Sequence, residues 1–83
     1  MTERTITVKV SFDANSVAEL VQKANMYKSK IMLSVSEKTA NLKSIMGIIS
    51  LGLDKGSIVT ISASGDDSNE AVTQLAQMLH GGD

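Results

Sequence analysis

The chain moves between two hydrophobic rhythms, one of period two and one near 3.6, and the switches between them mark its elements. In ITVKVSF, Ile6, Val8, Val10 and Phe12 share one face while Thr5, Thr7, Lys9 and Ser11 share the other, which predicts a half-buried strand over 6–12. Val17, Leu20, Val21 and Ala24 follow at i, i+3, i+4 and i+7, an amphipathic helix with Asp13 at its N-cap position. Alternation returns at Ile31, Leu33 and Val35. A polar turn at Ser36-Glu37-Lys38 and a short strand near 39–42 complete a hairpin. A short apolar helix comes next, with Ser44 as N-cap, Asp54-Lys55-Gly56 as its stop and Gly56 as a left-handed C-cap. Val59, Ile61 and Ala63 mark another strand. Asp67-Ser68-Asn69-Glu70 reads as a capping box before a last helix that buries Val72, Leu75, Ala76 and Leu79. Each strand has a single apolar face, so the helices must cover one side of the sheet. The expected fold is a two-layer α+β open-faced sandwich, one domain over 1–83. Its four-stranded, mostly antiparallel sheet carries three helices in the order βαββαβα.

One segment departs from economy. Leu42, Ile45, Met46, Ile48, Ile49, Leu51 and Leu53, set at about 100° per residue, sweep roughly 220°, about twice the arc a core-facing stripe needs. One short helix cannot bury all seven. Ile48, Leu51 and Leu53 belong to the core. Ile45, Met46 and Ile49 are assigned to a surface that meets a partner.

Composition narrows the chemistry. The 83 residues are 42% hydrophobic with a formal charge of −1, and the eight Lys and Arg are scattered. Phe12 and Tyr27 are the only aromatics, so neither the basic face nor the stacking platform of a nucleic-acid binder is present. Cysteine is absent, which excludes disulfides and thiolate metal sites. The lone histidine, His80, reads as a cation at a helix C-terminus or a surface residue, with no support for a Ser-His-Asp triad or a His-rich metal site. No cofactor or metal is expected. MTERTITV has no apolar leader core, and the longest apolar run is far short of the ~20 residues that span a bilayer; the expected location is the cytoplasm, without membrane contact.

The run Lys43-Ser44-Ile45-Met46-Gly47-Ile48-Ile49-Ser50-Leu51-Gly52 resembles the regulatory-serine signature of HPr, the small phosphocarrier of the bacterial sugar phosphotransferase system (PTS). The likeness continues through Leu53-Asp54-Lys55-Gly56 and Thr60-Ile61-Ser62-Ala63-Ser64-Gly65 and reaches back to Val21-Gln22-Lys23-Ala24. It departs at the first helix. There the HPr family carries a histidine in a Gly-apolar-His-Ala-Arg-Pro context, whereas this chain reads Ser11-Phe12-Asp13-Ala14-Asn15-Ser16. Asp13 takes the place of the phosphohistidine, Asn15 that of the arginine and Ser16 that of the proline.

The resemblance implies a paralogue without the ordinary phosphohistidine relay, similar to catabolite-repression HPr-like proteins. It implies phosphorylation of Ser44 by the ATP-dependent HPr kinase/phosphorylase, then docking on a catabolite-repression transcription regulator or another PTS-linked protein. The chain itself would neither contact DNA nor catalyse. Local chemistry alone reads Ser44 as an N-cap. Asp13 has two readings: an N-cap carboxylate, or a divergent phosphocarrier residue that accepts phosphate as an acyl phosphate.

Overall fold

The structure, a computed structural model, describes residues 1–81; residues 82 and 83, the end of the expected domain, lie outside the described residues. The elements run β1 (Thr2–Thr7), α1 (Ala14–Ala24), β2 (Lys30–Val35), β3 (Lys38–Asn41), α2 (Ile45–Ser50), β4 (Ile58–Ser64) and α3 (Ser68–His80). The four strands lie in the order β1-β4-β2-β3, and all three pairings are antiparallel. The expected α+β architecture is the observed one.

Period-two patterning explains the sheet. Ile31 and Leu33 of β2 and Val59, Ile61 and Ala63 of β4 point toward the helices and are buried. On the opposite face Thr5, Thr60, Ser34 and Thr39 fall in register across all four strands. Hydroxyl pairs join Thr5 to Thr60 at 2.9 Å and Ser34 to Thr39 at 3.1 Å. Val17, Leu20, Val21 and Ala24 of α1 and Val72, Leu75, Ala76 and Leu79 of α3 close the core from the other side.

Three expectations shift. First, β1 spans Thr2–Thr7 rather than 6–12. Its partner β4 begins at Ile58, opposite Thr7. Val8 makes the last contacts, donating to the Ser57 carbonyl at 2.8 Å and accepting from the Gly56 amide at 2.7 Å. Lys9 then donates to the Leu79 carbonyl at 2.9 Å, so the chain leaves the sheet for the end of α3. Val8, Val10 and Phe12 still pack on the core from this irregular segment. The polar start of β1 is accommodated because Thr2 bonds Ser68 and Asn69 of α3 at 3.0 and 2.6 Å.

Second, α2 ends at Ser50, and Gly52, not Gly56, takes the left-handed position after it at φ 67°. Leu51 and Leu53 must both turn inward, and each is 6% exposed. Gly56, at φ 99°, shapes the turn into β4 instead.

Third, the capping box does not form. Asp67 stands at the N-cap of α3 without a side-chain cap bond. Its carboxylate accepts the amides of Lys28 and Ser29 at 2.8 and 3.0 Å and also the Ser29 hydroxyl, joining α3 to the α1–β2 connection. Gly65 permits that approach: a Cβ there would lie 2.6 Å from Ser29 Oγ and 2.9 Å from its Cα.

Candidate functional site

The N-termini of α1 and α2 carry the two oxygen groups singled out from the sequence. Asp13 is extended at φ −92° and ψ 179°, and its Oδ1 accepts the Ser16 amide at 2.9 Å. That backbone amide, followed by the Ser16 hydroxyl, holds the exposed carboxyl below the usual carboxylate range. Asp13 is therefore an anion at neutral pH. Asp13 borders a depression of about 250 Å³ that is also lined by Phe12, Val17, Ile48, Ile49 and Leu53.

Ser44 caps α2. Its backbone is extended (φ −115°, ψ 116°), and its Oγ accepts the Gly47 amide at 3.2 Å. The carbonyl accepts the Ile48 amide at 3.1 Å, starting the helix. Gly47 keeps the cap close: a Cβ there would touch both Ser44 Oγ and the Ala40 side chain at 3.4 Å. Ser44 is half-buried, not enclosed.

The apolar arc divides at this helix. Leu42 and Ile48 are fully buried, with Leu51 and Leu53 nearly so, whereas Ile45 is 45% exposed, Met46 76% and Ile49 55%. Because α2 has only six residues and its buried face is occupied by Ile48, the other three apolar side chains project outward from the helix that Ser44 caps. Ile49 belongs both to this exposed trio and to the depression beside Asp13.

The entrance to α2 is also stitched from behind, which the hydrophobic pattern does not reveal. The Asn25 side-chain amide donates to the carbonyls of Val21 and Lys43 at 2.9 and 3.3 Å. The Lys43 ammonium donates to the Tyr27 carbonyl at 2.7 Å, and Asn41 Oδ1 accepts the Lys43 amide at 2.9 Å. The last contact is an Asx turn, and an asparagine two residues before Lys43 is the one local signal for it.

His80 ends α3, at the other end of the chain from Asp13, and its Nδ1 is buried. Among the described residues no group of three or more His, Cys, Asp or Glu is placed to hold a metal ion, and no helix is long and apolar enough to cross a membrane.

Comparison with known proteins agrees with the fold. A family model described as the PTS HPr component phosphorylation site matches residues 2–80. The HPr-like protein Crh of Bacillus subtilis (strain 168) is 39% identical over 71 residues, covering 86% of this chain and 84% of its own. The crystal structure of a phosphocarrier protein HPr from Bacillus anthracis matches with a TM-score of 0.91 at 36% identity, over 94% of this chain and 95% of that one. A crystal structure of Crh, the Bacillus subtilis catabolite repression containing protein, matches with a TM-score of 0.81 at 36% identity, over 93% and 88%. With a sheet and helices in the same arrangement and a family match that runs along nearly the whole chain, this protein belongs to the PTS HPr family.

Proposed function

We propose that the chain is a regulatory phosphoprotein of sugar uptake and carbon catabolite repression, marked on Ser44 by an ATP-dependent HPr kinase and then read by a transcription regulator. The observation that carries this reading is the exposure of Ile45, Met46 and Ile49 on the short helix that the Ser44 hydroxyl caps, while their apolar neighbours are buried. The likeness to Crh, a catabolite repression protein, supports it. In the transfer, Ser44 Oγ attacks the γ-phosphorus of ATP, its proton passes to a base on the kinase and ADP leaves. The ester adds about −1.5 to −2 charges at pH 7 next to the first-turn amides, where Gly47 N–H already points at the oxygen. No refolding is needed. A partner arginine can grip the phosphate in bidentate fashion while apolar side chains cover the trio. The chain catalyses nothing itself, works in the cytoplasm and leaves DNA contact to its partner.

The exposed, ionised carboxylate of Asp13 favours a second reading, a divergent phosphocarrier. Carboxylate attack on a phosphoryl donor would yield an acyl phosphate. Its low basicity weakens the nucleophile, and the cap bond to Ser16 already gives the group a structural task.

Labelling separates the two. Incubation with ATP and an HPr kinase is expected to place an acid-stable phosphate on Ser44, lost in Ser44→Ala. An unmodified Ser44 beside an ordinary HPr labelled in parallel removes the first reading. Hydroxylamine-labile label on Asp13, from phosphoenolpyruvate and the general PTS phosphotransferase, would establish the second.

A further inference from the structure

The five methionines fall into two classes. Met1, Met26 and Met46 are 86%, 72% and 76% exposed, whereas Met32 and Met78 are half-buried. Of the exposed three, only Met46 lies in the apolar trio beside Ser44. Its neighbours there, Ile45 and Ile49, are saturated hydrocarbon and inert to mild oxidants. Met46 alone on that surface carries a thioether, whose sulfur lone pair reacts with peroxide and whose rate follows access.

We propose that Met46 is a peroxide-reactive modification site, and that its sulfoxide closes the Ser44 face to protein partners. Hydrogen peroxide transfers one oxygen atom to the sulfur. The thioether is oxidised by two electrons to a sulfoxide, and the peroxide is reduced to water. A flexible apolar side chain becomes a polar one with a strong acceptor oxygen. On the free protein that oxygen is hydrated at no cost. Under a partner it would be buried against aliphatic atoms without a donor, a desolvation penalty that weakens the complex. The modification thus acts on docking and leaves the fold alone, since Met46 projects away from the buried face of α2. Thiol-free, the chain has no cysteine to serve as a redox sensor, and a methionine sulfoxide reductase would restore the apolar surface.

This inference rests on the docking reading above, and the sequence makes both testable at once. Cleavage after Lys and Arg puts each methionine on its own peptide: 1–4, 24–28, 31–38, 44–55 and 56–83. Peptide 44–55 carries Ser44 and Met46 together, so phosphate and sulfoxide are read on the same molecule. The intact protein is treated with hydrogen peroxide, sampled by mass spectrometry and then given to an HPr kinase with ATP. Met46 is expected to oxidise as fast as Met1 and Met26 and well ahead of Met32 and Met78. Oxidised molecules are expected to acquire phosphate on Ser44 about tenfold more slowly than reduced ones. In Met46→Leu the ratio of treated to untreated rates should return to near one. Met26→Leu should keep the full peroxide sensitivity, and Met46→Gln should be slow without any oxidant. Failure of the reduced protein to be phosphorylated, with an ordinary HPr labelled in parallel, overturns the docking reading and the switch with it. Normal phosphorylation of the reduced protein with an equal rate for the sulfoxide form overturns the switch alone. So does an oxidation rate at Met46 no faster than at Met32 and Met78.

Discussion

Ser29 gives both its amide and its hydroxyl to the carboxylate of Asp67, so a residue expected to cap its own helix instead ties α3 to the chain entering β2. Ser29 is 1% exposed, and its hydroxyl has no solvent to fall back on. Ser29→Ala should therefore cost about 1 kcal/mol, lowering Tm by about 4–8 °C in a domain of this size, as read by calorimetry.

Gly65 sits at φ 145° with Ser29 atoms where its Cβ would be. Gly65→Ala combines backbone strain with a clash against Ser29 Oγ and Cα and should cost about 2–4 kcal/mol. Urea unfolding would show it, and Gly56→Ala, whose Cβ meets nothing within 4 Å, should cost less.

The Ser29 hydroxyl, then the Lys28 amide, hold the Asp67 carboxyl low, and Ser16 does the same for Asp13. A carboxyl with a folded pKa below its unfolded value, about 3.9, contributes stability that is complete above that value and lost as pH falls through the folded one. Stability should thus decline below about pH 4. Asp67→Asn and Asp13→Asn should each flatten that decline, measured by denaturant midpoints across the acid range.

Ser44→Ala removes one cap and should cost about 1 kcal/mol while abolishing ATP-dependent labelling. Ser44→Asp keeps a capping oxygen and should recover most of that stability, with a single charge in place of the phosphate's two. Thermal unfolding and a regulator-binding assay separate those effects.

Buried and exposed members of the α2 arc should give opposite phenotypes. Ile48→Ala empties a fully buried site and should cost about 2–5 kcal/mol. Ile45→Ala and Ile49→Ala should cost less than about 1 kcal/mol yet slow kinase labelling about tenfold.

Much of this was legible because burial and helix caps are local properties. The positions of Asp13 and Ser44 and the buried faces of α1 and α3 follow from periodicity, and the surplus of the α2 arc from the few side chains a six-residue helix can hide, whereas Leu42 and Leu53 are buried because they lie outside that helix. What escaped depends on distant segments. The frame of β1 is set by where β4 begins, and the partner of Asp67 lies 38 residues away at Ser29. Either Gly52 or Gly56 fits a left-handed stop, and only the need to bury Leu51 and Leu53 decides between them. The stitching of Lys43 to Tyr27 has no periodic signature at all.

Ile49 lines the hollow beside Asp13 and also belongs to the exposed apolar trio of the helix that Ser44 caps. If the kinase and the regulator of the proposed function both rest on Ile45, Met46 and Ile49, each bars the other, and writing and reading would alternate without any hinge or latch.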